Sequence, residues 1–416
     1  MKKITTLLTS ISLMVGASAQ VVTDTVSVNS GYINENYYTL NNENKVPITR
    51  SDWDLAFASD GVGFGSSAIR INGGMGTELY KYSNDTMDWS TLDTTGFNWS
   101  LNRLISADTS WSVGAFSNTT PQSGFDLGWG TYSTITHIVS GDRIFILKLS
   151  NGDYKKIVID KLQSGTYNFR YADLNGNNFV NTSISKSNYP GKNFGYYSIQ
   201  NNTVIDREPV STSWDLLFTK YVTDLGGGTY YGVTGVLTNV NVKVAQAYPV
   251  NDPYTEPYTG QNYGFIINTI GHDWKSFNTT TFQYEIEDSL VYFVEDANQD
   301  VYRMVFTGFG GSANGNFIFD KELVGNTTGI NDDFNKTEIF DIYPNPATSF
   351  VNVTFTSDDN STISLHDITG KLVYTKTTVG VGLNQERIDV SNLTKGMYFL
   401  SIISSNEKST QKVIIK

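Results

Sequence analysis

The chain has no cysteine among its 416 residues, which removes disulfides, thiolate metal sites, cysteine nucleophiles and a lipidated anchor together. Histidine is scarce as well, with only His137, His272 and His366. That scarcity leaves little material for a zinc site or a Ser-His-Asp triad, and neither HExxH nor GxSxG occurs. The phosphate-cradling GxxxxGK[ST] is absent too, so most of the 37 glycines read as turn residues. Lys and Arg number 29 against 41 Asp and Glu and form no cluster, which opposes binding to nucleic acid or anionic lipid. After residue 19 no segment approaches the roughly twenty apolar residues of a membrane helix, so no membrane span is expected.

What is abundant is aromatic and β-prone. Phe, Trp and Tyr make up 13% of the chain, with 25 Tyr and 23 Phe alongside many Thr, Val and Asn. Helical periodicity is hard to find, a brief turn near residues 99–106 apart, and apolar residues run in alternation. The expected fold is all-β. Residues 1–19 carry Lys2 and Lys3, an apolar stretch from Leu7 to Val15 and an AxA site ending at Ala19, the pattern of a cleavable signal peptide for export to the periplasm.

Between the ends the chain repeats itself. YYTL at 37–40 and SDWDLAF at 51–57 answer to YYSI at 196–199 and TSWDLLF at 212–218. A later hairpin-like passage at 142–159 answers to 288–306. Tyr154 precedes Phe169 and Tyr171 by the spacings at which Tyr302 precedes Phe317 and Phe319. Two related β-rich units follow, 20–190 and 191–325, more chain than one hydrophobic core usually organises. A polar linker is expected at 326–337. Whether the units fold apart or exchange strands is open at this level.

Residues 338–416 alternate apolar and polar positions through Val351, Val353, Phe355, Ile363, Leu365, Tyr398, Leu400 and Ile402, as a small immunoglobulin-like β-sandwich would. Gly370 and Gly396 fall in turns, and Pro344 and Pro346 flank Asn345 where an edge strand would begin. The motifs YPNPA, DITGK, KGMYFL and the basic end at Lys416 resemble the type A C-terminal sorting domain of the Bacteroidetes type IX secretion system. That resemblance implies the type IX machinery as partner and a secreted or outer-membrane-surface location.

The aromatic pair, the WDL strand and the later hairpin, in two copies over roughly residues 30–325, resemble the HmuY family of surface proteins, several of which bind haem. The resemblance implies haem as cofactor, with His137 and His272 as candidate axial ligands and Met75, Met87 or Met304 as thioether alternatives. Trp53 and Trp214 are candidate ligand-binding rings, or core tryptophans beside an Asp that accepts a backbone amide. No cofactor and no catalytic residue is certain.

Two other readings stand beside haem capture. Trp89, Trp99, Trp111 and Trp129, with Tyr254, Tyr258 and Tyr263 in a Pro-rich excursion at 248–263, suit stacking against a glycan in a binding or adhesion protein. A secreted hydrolase needs only two well-placed carboxylates, and nothing singles out a pair. Asp173, Asn175 and Asn177, and Asp296, Asn298 and Asp300, alternate oxygen ligands but lack the glycine and the closing Glu of a calcium loop, so they read as polar hairpin turns.

Overall fold

The computed structural model describes residues 20–62, 66–121, 125–226, 228–326, 340–357, 361–378, 382–404 and 407–416. The expected signal peptide with Ala19 and nearly all of the expected linker lie outside them. Every strand ladder among the described residues is antiparallel. None of their helices is long and apolar enough to cross a membrane. The fold is all-β, as the alternation requires, and the turn near residue 99 is a single one closed by Asn102 N–H on the Asn98 carbonyl.

Four large sheets and a two-stranded one, Lys275–Asn278 with Gln283–Ile286, build the described residues before 327. A first outer sheet runs Val180–Ser185, Thr166–Asp173, Tyr154–Gln163, Ile144–Lys148, Glu78–Ser83 and Arg103–Leu104, with two short strands beside it. A first inner sheet runs Thr203–Ile205, Phe194–Ser198, Leu55–Ala58 and Ile69–Ile71. A second inner sheet runs Tyr230–Thr238, Leu216–Asp224, Asn34–Tyr38 and Lys45–Thr49. A second outer sheet runs Val22–Ser27, Asn316–Asn326, Asp300–Phe309, Val291–Glu295 and Lys243–Ala247.

The sequence-related units exchange strands. The WDL strand of the first unit pairs with the YYS strand of the second, Tyr197 opposite Leu55 and Tyr196 opposite Ala56. Reciprocally, the WDL strand of the second pairs with the YY strand of the first, Tyr38 opposite Leu216 and Tyr37 opposite Leu217. Each lobe therefore takes chain from both units.

Period-two alternation then assigns the cores. Leu55, Phe57, Tyr197 and Ile199 face the first outer sheet, while Tyr38, Leu40, Leu216 and Phe218 face the second. The intervening positions, Tyr37, Ala56, Tyr196 and Leu217, face one another across a seam between the inner sheets. The packing repeats as faithfully as the pairing: the Phe57 and Phe169 rings lie 5.0 Å apart, and their counterparts Phe218 and Phe317 also 5.0 Å. Removing either Phe57 or Phe218 would cost about 3–5 kcal/mol, the usual range for a buried ring.

Residues 340–416 form their own sandwich. Phe340–Tyr343, Phe350–Ser357 and Gly382–Asp389 make one sheet, and Leu372–Thr378, Ser361–Asp367, Gly396–Ser404 and Glu407–Ile415 the other. Val351, Val353, Phe355, Ile363, Leu365, Tyr398, Leu400 and Ile402 fill the space between them.

Candidate functional site

The seam is organised by the WD dipeptides. Asp54 N–H donates to the Tyr197 carbonyl at 3.0 Å, and Asp215 N–H to the equivalent Tyr38 carbonyl at 2.8 Å. Their carboxylates accept from the opposite unit too: Asp54 from Gln200 N at 3.2 Å, Asp215 from Leu40 N at 2.7 Å. Asn72 donates to the carbonyls of Arg50 and Trp53, and Asn239, its mate, to those of Ser211 and Trp214. Each asparagine thus clamps the bend that precedes a WDL strand. No asparagine motif marked these residues in the sequence, and their spacing from the two tryptophans differs, 19 residues against 25.

The tryptophans occupy matching places. Trp53 meets Tyr196 edge-on at 5.1 Å, and Trp214 meets Tyr37 edge-on at 5.0 Å. Trp214 is 3% exposed, whereas Trp53 is half-buried and lines a cavity of about 90 Å³. Sequence identity at WD did not carry over to equal surroundings.

Around Trp53 the seam is polar. Arg207 is sealed against Glu35 and lies 3.0 Å from Asp52, with its guanidinium 5.1 Å from the Tyr196 ring. Glu35 also accepts from Thr219 at 3.1 Å. The neighbouring Glu208 accepts from Tyr196 OH at 2.6 Å and Asn193 N at 2.7 Å, and burial pushes its carboxyl up to about 8. Glu208 therefore keeps its proton near neutrality, the expected answer to an anion with no cation in contact. Burial likewise raises Asp215 to about 6.

The two histidines sit in different lobes. His137 lies exposed in the loop before Val139–Gly141, its Nδ1 2.8 Å from Tyr132 OH. His272 is half-buried, edge-on to Tyr221 at 6.4 Å, and burial lowers its pKa below the ordinary value. Among the described residues neither shares a hydrogen bond or ring contact with the other, with Trp53 or with Trp214. Met304 is fully buried in the second core and Met87 is 83% exposed. Among the described residues no group of three His, Asp or Glu is placed to hold a metal ion. The two Asp-Asn stretches are turns: Asp173 pairs with Lys155 and Asn178, and Asp296 accepts the amides of Asn298 and Asp300.

Of the other tryptophans, Trp111 and Trp129 are core, whereas Trp89 and Trp99 are half-buried. The latter two lie in a connection, residues 84–102, laid over the outer face of the first outer sheet. There Phe97, Trp99, Tyr80 and Tyr154 form a row of contacting rings, Phe97 at 4.8 Å, Tyr80 at 5.0 Å and Tyr154 at 5.3 Å from Trp99. Tyr82 extends it through Phe97 at 5.9 Å. Trp89 is flanked by Lys156, Arg170 and the 54%-exposed Phe179. The excursion 248–263 has a different role: Val250, Tyr258 and Tyr263 seal the outer face of the second outer sheet, with Tyr258 against Gly325. It straps a core, and Tyr254 fastens it through Asp320 at 2.6 Å.

The tail motifs acquire mechanical roles. Asn345 donates to the Lys412 carbonyl and accepts from Ile414 N, both at 2.8 Å, and Ala347 exchanges hydrogen bonds with Ile414 and Lys416. The segment with Pro344 and Pro346 thereby pins the last strand, including the Lys416 amide. Gly370 sits at φ 82° in a turn capped by Asp367, a conformation that favours glycine. Gly396 opens the strand that carries buried Tyr398, whose hydroxyl reaches the Thr394 carbonyl at 2.7 Å.

Residues 341–416 match the family described as the secretion system C-terminal sorting domain. No curated protein matches the chain. Among solved structures, dimeric latent PorU from Porphyromonas gingivalis is similar at 10% identity over 67% of this chain and 26% of that one, TM-score 0.18. The BSP domain of a biofilm associated protein is similar at 11% identity over 98% and 68%, TM-score 0.17. The chain thus spans about a quarter of PorU, and neither likeness is close enough to inform the argument. The HmuY-like reading of residues 30–325 draws no support from these matches and rests on its motifs. The tail is a type IX secretion sorting domain, and it marks the chain as an exported protein, secreted or held at the cell surface.

Proposed function

We propose that the exported portion is a non-catalytic glycan-binding or adhesion protein, whose contact surface is the ring row on the first outer sheet. One observation carries the reading: Tyr82, Phe97, Trp99 and Tyr154 are mutually packed yet only half-buried, on a scaffold whose other large aromatics are mostly sealed. Rings held rigid by their neighbours lose little freedom on stacking against a sugar face. Asp85, Asp93 and Asn98 fix the connection by accepting nearby amides, so the platform exists before a ligand arrives.

A pull-down on a polysaccharide panel tests this. Trp99→Ala and Trp89→Ala should each weaken retention about tenfold or more, while Tyr254→Phe on the strap leaves it unchanged; retention indifferent to both tryptophans rejects the platform. Haem capture through His137 and His272 is the competing reading, resting on motif resemblance. A Soret shift with hemin, lost in His137→Ala and His272→Ala, would favour it instead. Export is tested separately: deletion of residues 340–416 should trap the protein inside the cell, and undiminished surface or medium levels would refute the role given to the tail.

A further inference from the structure

The cavity beside Trp53 gathers polar atoms that the protein leaves unused. Trp53, Thr77, Tyr221 and Arg103 belong to its lining, and each carries a buried atom, Nε1, Oγ1, OH and Nε in turn, with no hydrogen-bond partner among the described residues. Thr77 is 2% and Tyr221 9% exposed, so bulk water does not satisfy them. An unused indole N–H is not diagnostic alone, since sealed Trp214 has one too. Four such groups around one cavity differ from that, because buried polar groups are ordinarily paired.

Chemistry narrows the occupant. Indole and guanidinium N–H groups only donate, so whatever meets them must present acceptors. Charge adds a sign. Arg70 spends its donors on the carbonyls of Ala107, Ser110, Trp111 and Val113 and has no carboxylate within ion-pair distance among the described residues. Burial accordingly pushes it down to about 10. Glu35 is already held by Arg207, and Asp108 by Thr223 and Asn268. Glu78 is shared between Arg103 and Lys148. With Glu35 answered by Arg207 and Glu78 by Arg103, the lining keeps Arg70 and Lys220 against Asp108, whose partners are neutral, so one positive charge is in excess. Size sets the last limit: about 90 Å³ is well below the roughly 300–1,000 Å³ of pockets for drug-sized ligands.

We infer that this cavity binds a small carboxylate of a few heavy atoms, received by Arg103, Thr77, Tyr221 and the Trp53 indole. The mate of this region argues the same way. Where one side has Glu35 and Thr219, the equivalent positions on the other are the apolar Phe194 and Ala58, while Arg70 and its equivalent Leu237 line this one cavity. The site adjoins the ring row through Tyr80, which donates to Glu78, but it uses other side chains and stands whether or not a glycan binds there.

The test is thermal shift and tryptophan fluorescence on the signal-processed chain, titrated with acetate, glycolate and pyruvate and, as uncharged isosteres, acetamide and glycerol. At least one carboxylate should give a saturable rise in Tm and a fluorescence change that acetamide does not reproduce. Tyr221→Phe and Thr77→Val should each weaken that carboxylate about tenfold, the value of one lost hydrogen bond. Neither variant should lower the Tm of the ligand-free protein, because each removes a hydroxyl without a partner. Equal responses to acetamide, no saturable response to any carboxylate, or wild-type affinity in both variants would overturn the assignment.

Discussion

The two lobes began from one sequence pattern and solved the same burial problem twice, yet on the seam between them they disagree. Backbone features coincide: the strand exchange, the asparagine clamps and the edge-on Trp–Tyr pairs recur with nearly equal distances. Side chains on the central faces do not. One side buries Glu35, Thr219 and Arg207; the equivalents of Glu35 and Thr219 on the other are Phe194 and Ala58. Backbone hydrogen bonds constrain an element through geometry common to all residues, whereas a central-face side chain answers only to its local partners. Repeats therefore keep their clamps and lose their chemistry.

The sharpest way to break the comparison is to remove one ion from the polar side. Arg207→Met should destabilise the fold by about 3–5 kcal/mol in urea unfolding, because Glu35 is left buried without its cation. The double variant Glu35→Leu with Arg207→Met imports the apolar solution of the opposite side and should recover most of that loss. A double variant as unstable as the single one would mean that the polar side cannot adopt its mate's packing.

A smaller effect tests the shared part. Asn72→Ala orphans two carbonyls and should cost about 2 kcal/mol, whereas Asn239→Ala orphans two carbonyls and the buried Asn193 amide and should cost about 1 kcal/mol more. A negligible loss for either variant would show that the clamps are alike in geometry alone.

The gentlest probe is pH. The fold holds the Glu208 proton up to about 8, whereas the unfolded chain gives it up near 4.5. Below 4.5 both states are protonated and the carboxyl costs nothing. Between 4.5 and 8 the folded state binds more protons, so stability falls as pH rises. Asp215, raised from 3.8 to about 6, acts in the same direction over the lower part of that window. Thermal midpoints should decline from pH 6 to pH 8, and Glu208→Gln should flatten the decline. A midpoint that climbs across this interval in the parent protein would contradict the buried, protonated carboxyl.

Much of this architecture was legible beforehand. Alternation gave strands, the paired YY and WD motifs gave the twofold repeat, and the tail motifs identified the sorting sandwich together with residues that pin it, Asn345 and Gly370 among them. The pairing partners were hidden, because Tyr37–Tyr38 and Tyr196–Tyr197 present the same edge to a WDL strand and local propensity does not distinguish pairing within a unit from pairing across units. The candidate site was partly visible. Trp53 was recognised from its motif and Trp99 from its ring, while Glu35, Arg70, Thr77, Arg103 and Tyr221 carry no pattern that separates them from surface or core neighbours. Trp111 and Trp129, grouped with Trp89 and Trp99 in the sequence, lie in cores because the chain turns them inward.

By itself the sequence determined that this is an exported all-β chain with a twofold repeat and a detachable-looking tail, since alternation, turn residues and end motifs are local properties. Tertiary structure alone decided which strands pair, which tryptophan is open and which charges share a cavity. Those outcomes depend on segments far apart in the chain, and the free energy of bringing them together is written in no single stretch of residues.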